Sequence, residues 1–81
     1  MKAELLHEYI ECGRELEFKH KGKMFSITYG TVDGHEVISF CELNKGSIEA
    51  DTAEELSAIK YQGITLLDMW EDLTEEDLWV Y

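Results

Sequence analysis

Residues 16–41 read Leu16-Glu17-Phe18-Lys19-His20-Lys21-Gly22-Lys23-Met24-Phe25-Ser26-Ile27-Thr28-Tyr29-Gly30-Thr31-Val32-Asp33-Gly34-His35-Glu36-Val37-Ile38-Ser39-Phe40-Cys41, and this stretch decides the fold. Apolar and polar side chains alternate with period two, the pattern of strands with one buried face. Asp33-Gly34 is a strong hairpin-turn dipeptide. Lys21-Gly22 is a weaker one, because lysine tolerates positive φ poorly. Two-residue turns at both places pair His20 with Lys23, Phe18 with Phe25 and Leu16 with Ile27 in the first hairpin. In the second they pair Val32 with His35, Tyr29 with Ile38 and Ile27 with Phe40. Both hairpins independently put Leu16, Phe18, Phe25, Ile27, Tyr29, Ile38 and Phe40 on one face. A slip of one residue in either would scatter that set. The opposite face carries Glu15, Glu17, Lys19, Met24, Ser26, Thr28, Val37, Ser39, Cys41 and Leu43, a mixed surface.

Helical signals flank this meander. Leu5, Leu6, Tyr9 and Ile10 recur at helical spacing between Glu4, Glu8 and Glu11, which predicts a helix over about 3–12 with Gly13 as its stop. A turn at Asn44-Lys45-Gly46 leads to a short extended piece near Ile48. Thr52-x-x-Glu55 opens a short helix with Ala53, Leu56 and Ile59 inward, which Lys60-Tyr61-Gln62-Gly63 breaks. Thr65-x-x-Asp68 opens another, with the stripe Leu66, Met69, Trp70 and Leu73. Thr74-x-x-Asp77 caps a final turn, or else Leu78 to Tyr81 form a short strand. The expected architecture is α+β over a single domain, residues 1–81: a three-stranded antiparallel meander with helices on one face, in the order α-β-β-β-α-α. That order is similar to the double-stranded-RNA-binding domain. The charge argues against that activity, since duplex RNA is held through its phosphates.

Seven Lys plus Arg stand against eighteen Asp plus Glu, a formal net charge of −11 over 81 residues. Direct nucleic-acid binding is not expected of such a chain, because it requires clustered cations. No apolar run is long enough for a spanning helix. Nor is disorder expected, with 44% hydrophobic residues. The start Met1-Lys2-Ala3-Glu4 reads as the approach to an amphipathic helix and not as a signal peptide, so a cytoplasmic setting with free thiols at Cys12 and Cys41 is the expectation.

The charge is uneven. Residues 1–34 hold five cations and six acids, whereas residues 35–81 hold two cations and twelve acids. Glu71, Asp72, Glu75, Glu76 and Asp77 crowd into one short stretch. Such crowding serves solubility, or it meets a basic partner and selects for it. Trp79 and Tyr81 follow directly. They are either the last core element or exposed interface anchors.

Catalytic chemistry finds no constellation. His7, His20 and His35 read as exposed, titrating side chains, and none is forced beside Cys12, Cys41 or a second base. Neither a metal site nor a cofactor is expected, because metal-ligand spacing, a calcium loop and clustered phosphate-binding glycines are all missing from the pattern.

The runs Phe18-x-x-x-Gly22-Lys23-x-Phe25-Ser26-Ile27-x-Tyr29, Ile38-Ser39-Phe40-Cys41-Glu42 and Gly63-Ile64-Thr65-Leu66-Leu67-Asp68-x-Trp70 resemble small acidic proteins of Gram-positive bacteria and their prophages. The resemblance implies a small cytoplasmic α+β protein and carries no catalytic or binding residue. Taken together, the expected function is non-enzymatic. The acidic C-terminal half would bind a basic protein, as a nucleic-acid mimic or inhibitor, with Glu71, Asp72, Glu75, Glu76, Asp77, Trp79 and Tyr81 as candidate contacts. The alternative is a homo-oligomeric module, at its simplest a homodimer, that associates through the second sheet face.

Overall fold

The computed structural model describes residues 1–81. Helix α1 (Ala3–Glu11) leads into strands β1 (Leu16–His20), β2 (Lys23–Val32) and β3 (His35–Glu42). Strand β4 (Ile48–Ala50), helix α2 (Ala53–Ala58), the two-residue strands β5 (Lys60–Tyr61) and β6 (Ile64–Thr65), and helix α3 (Leu66–Glu71) follow. A 3-10 turn (Glu75–Asp77) then enters strand β7 (Leu78–Val80).

The meander forms in the expected register. Phe18 faces Phe25, Leu16 faces Ile27, Tyr29 faces Ile38 and Ile27 faces Phe40. Lys21 takes φ 50° and Gly22 φ 80°, while Asp33 takes φ 50° and Gly34 φ 85°. Positive φ at both central positions twists the chain in the sense the strands need. Lysine therefore does occupy the disfavoured region, held there by the hydrophobic register on either side.

The sheet is wider than the meander. Its order is β4-β3-β2-β1-β7, five strands, each antiparallel to its neighbour. The three predicted strands are its centre, and two short strands extend its edges. Ile48 and Ala50 pair with Phe40 and Ile38, and Leu78 and Val80 pair with Phe18 and Leu16. Both readings of the chain's last residues are realised in succession: Thr74 and Asp77 cap a 3-10 turn, and Leu78–Val80 follow as a strand. Lys60 to Gly63 do more than break a helix: Gln62 (φ 57°) and Gly63 (φ 84°) make a third tight turn, joining β5 to β6.

Helices α1, α2 and α3 pack together over one sheet face. The core between them holds Leu6, Leu16, Phe18, Ile27, Phe40, Leu56, Leu66 and Trp70, each with no exposed surface. Phe18, Phe25 and Phe40 form a triangular cluster of near-parallel rings with centroids 5.4–6.0 Å apart. Trp70 stands edge-on to Phe18 at 6.4 Å and to Tyr9 at 6.5 Å, and its indole nitrogen donates to the Lys2 carbonyl at 2.8 Å. The Met1 amino group donates to the carbonyls of Trp70 and Leu73, at 3.0 and 3.1 Å, where a cation suits the end of α3.

Helix ends follow their sequence signals. Gly13, at φ 71°, closes α1, with its N–H on the Ile10 carbonyl and the Arg14 N–H on the Tyr9 carbonyl, both at 3.0 Å. Thr52 and Thr65 accept from the backbone of Glu55 and Asp68 at 3.2 and 3.1 Å.

Candidate functional site

The C-terminal candidates gather at the β7 edge. Leu73 is buried behind α3, which fixes the direction in which residues 74–77 leave the helix. Asp77 then accepts from the Thr74 N–H at 3.0 Å and the Thr74 hydroxyl at 3.2 Å, closing the 3-10 turn. The chain emerges extended, and alternation turns Trp79 to the sheet face that no helix covers. There Trp79 is 45% exposed and Tyr81 61% exposed. Both are surface aromatics, not the last element of the core.

The five acids do not form one uniform patch. Asp72 accepts from the His20 ring nitrogen at 3.0 Å. That bond, reinforced by the charges of His20, Lys21 and the amino terminus, holds the Asp72 carboxyl below the ordinary aspartate value. Asp72 and Asp77 share a shallow cleft of about 480 Å³ with Lys19, His20 and Lys21. So these two carboxylates face cations and structural donors. Glu71, Glu75 and Glu76 remain exposed.

His20 corrects an expectation. It is buried, at 7% exposure, rather than exposed at a hairpin tip. Strand alternation points it inward, and Asp72 reaches across from the end of α3. His7 and His35 also meet acids of the second half of the chain, Glu54 at 3.9 Å and Asp51 at 3.4 Å.

A consequence for pH follows from Asp72. Its carboxyl is lowered by folding, so its contribution is full above the ordinary aspartate range and is lost as pH falls through it. Asp72→Asn should therefore make stability less dependent on pH between about 5 and about 2. Urea midpoints measured across that range check this. An unchanged slope would mean that the His20 contact carries no linkage.

Sequence reasoning missed two parts of the acidic surface, both drawing on carboxylates of the nearly neutral first half. Glu17 pairs with Trp79 across β1 and β7, and its carboxylate accepts from the Tyr81 hydroxyl at 2.6 Å. This bond, with the Glu17 charge and partial desolvation, raises the Tyr81 phenol above its usual value. The strand alternation signalled that Glu17 lies on the helix-free face. Nothing in the sequence placed Tyr81 beside it, because that requires β7 to pair with β1.

The second part is a groove of about 760 Å³ at the other end of the sheet, between the end of α1, the start of α2 and the β2–β3 hairpin. Ile10, Tyr29, Ile38 and Ala53 contribute apolar surface, and Glu11, Glu15, Glu36, Asp51 and Glu54 contribute carboxylates. Tyr29 donates to the Arg14 carbonyl at 2.7 Å, and burial, followed by the nearby Glu15 and Cys12, raises its phenol. These acids come from three separate stretches, 11–15, 36 and 51–54, so no local window of sequence reveals them together.

The two cysteines are free, Cys12 exposed and Cys41 half-buried on the helix-free face beside Ser26. No cluster of His, Cys, Asp and Glu has the arrangement of a metal site. No helix is long and apolar enough to cross a membrane. Comparison with protein-family models, with curated proteins and with solved structures finds no match to this chain.

Proposed function

We propose that this chain is a non-enzymatic interaction module that binds a basic protein through the β7 edge and the acids leading into it. One observation carries the reading. Trp79 and Tyr81 stand exposed on the helix-free face, with Glu17 between them and Glu75 and Glu76 just before them in the chain. Exposed aromatics beside unpaired carboxylates are suited to Lys and Arg, through ring faces and charge together. An acidic surface of this kind speeds association with a basic partner and rejects acidic ones. A partner whose basic surface ordinarily contacts nucleic acid fits the same chemistry.

The homo-oligomeric reading has a specific feature in its favour: Leu43 is 53% exposed on the same helix-free face. The net charge of −11 on each copy weighs against it and toward a basic partner.

The test uses the acids that do no structural work. Glu71, Glu75 and Glu76 are replaced together by Lys, and Asp72 and Asp77 are kept because they hold His20 and Thr74. Proteins retained from a lysate of the source cell should fall at least about tenfold for the variant, and should be released from the wild type by about 0.5 M salt. Trp79→Ala with Tyr81→Ala should reduce the same proteins. A retained set that neither change alters would overturn the reading.

A further inference from the structure

The β7 strand is the outermost on its side of the sheet, with β1 on one flank and no strand on the other. The Tyr81 N–H donates to the Glu15 carbonyl at 2.9 Å, which sets the phase of the β1–β7 ladder. In an antiparallel pair, residues alternate between facing the partner and facing away. Trp79, opposite Glu17, therefore turns its backbone groups to β1. Leu78 and Val80 turn theirs outward. The Leu78 N–H is taken by the Glu75 carbonyl. The Leu78 carbonyl and both backbone groups of Val80 point away from the sheet along an edge whose three side chains are all uncharged. The opposite edge differs, because β4 carries Glu49 at its centre, and an edge charge discourages further pairing.

We infer that the β7 edge accepts an extended segment of the basic partner as a sixth strand, with a Lys or Arg lying over Trp79. This rests on the reading given under Proposed function and names its binding mode. A strand laid against β7 pairs its backbone with Val80 and the Leu78 carbonyl. Its side chain opposite Trp79 falls on the helix-free face, within reach of the indole ring and the Glu17 carboxylate. Its neighbours on either side fall on the core side, beside the half-buried Leu78 and Val80. The fitting sequence thus alternates basic and apolar residues, and Glu75 and Glu76 attract its cations from the preceding turn. A second copy of β7 has no basic residue to offer and brings the same net charge of −11, so the occupant is a basic segment.

The probe is a blocked peptide of alternating valine and lysine, titrated into the isotope-labelled protein. Two comparison peptides accompany it: one N-methylated at alternate residues, which cannot donate along one edge, and an oligolysine, which offers charge alone. The Val80 amide should shift and become protected from exchange. N-methylation should weaken binding about tenfold, the loss of one or two net hydrogen bonds. Val80→Pro removes the outward N–H without touching the β1 ladder, and proline is tolerated at such an edge position. Its circular dichroism should match the wild type while peptide affinity falls by a similar factor. Strand addition is overturned if the peptide does not bind, if the N-methylated peptide or the oligolysine binds equally well, or if the Val80 amide is unmoved. If strand addition fails while replacing Glu71, Glu75 and Glu76 still releases the partner, the charge-based reading stands alone. If that replacement is also silent, both are overturned.

Discussion

Trp70→Ala should remove a large share of the protein's stability and sharply lower its urea midpoint. The side chain is fully buried, packed edge-on against Phe18 and Tyr9, and hydrogen-bonded to the Lys2 carbonyl. Removing so large a ring costs ~3–5 kcal/mol from lost burial and the remaining cavity. A chain of 81 residues has about 4–12 kcal/mol in total, at about 0.05–0.15 kcal/mol per residue. The loss is concentrated at a junction, because Trp70 joins α3 to α1 and to the phenylalanine cluster of the sheet. Trp70→Phe keeps most of the apolar contact and loses the indole donor, so about 1–2 kcal/mol is expected there. Urea unfolding of the two variants separates these contributions. Equal losses would mean that the hydrogen bond, and not the ring volume, dominates the site.

Tyr61→Phe should cost about 1–3 kcal/mol, large for the removal of one oxygen. The Tyr61 hydroxyl accepts from the Glu42 N–H at 3.0 Å and donates to the Gly46 carbonyl at 2.8 Å. The Glu42 N–H points toward β4, but β4 pairs only as far as Phe40. Tyr61 reaches the gap from the small β5–β6 hairpin and substitutes for the strand that is missing there. Phenylalanine would fill the space and leave the Glu42 donor without its partner, which is the expensive half of the change. Faster amide exchange at Glu42 together with a lowered urea midpoint is the expected signature. A lowered midpoint with unchanged exchange at Glu42 would locate the cost elsewhere.

The meander was legible because period-two alternation and two X-Gly turns fix the same register twice over. The helix caps were legible because Thr52, Thr65 and Gly13 act locally. The edge strands were not, for a physical reason. Three residues are too few to display a period, and β4 and β7 owe their form to the edges of β3 and β1. The same reason hid Tyr61, whose turn at Gln62-Gly63 looks from the sequence like a simple break. His20 was misjudged because a histidine near a turn looks exposed until the inward phase of β1 and the reach of Asp72 are taken together. Within the candidate site, the acids of the 71–77 stretch were visible as a run. Their division into Asp72 and Asp77, which hold the fold, and Glu71, Glu75 and Glu76, which do not, required the fold itself. The part played by Glu17 likewise depends on a pairing across most of the chain.

That pairing has a kinetic consequence. β1 has one neighbour adjacent in sequence, β2, and another, β7, whose Tyr81 hydroxyl meets Glu17 across 64 positions. The hairpin closes a short loop, whereas β1–β7 closes nearly the whole chain, so the entropy to be overcome is greater and contact forms later. The two tryptophans sit on either side of this division, one sealed in the core and one on the late strand. With Trp70 and Trp79 monitored separately in single-tryptophan variants, fluorescence during refolding would resolve core collapse from completion of the sheet. The β7 edge would then be the last part of the molecule to be assembled.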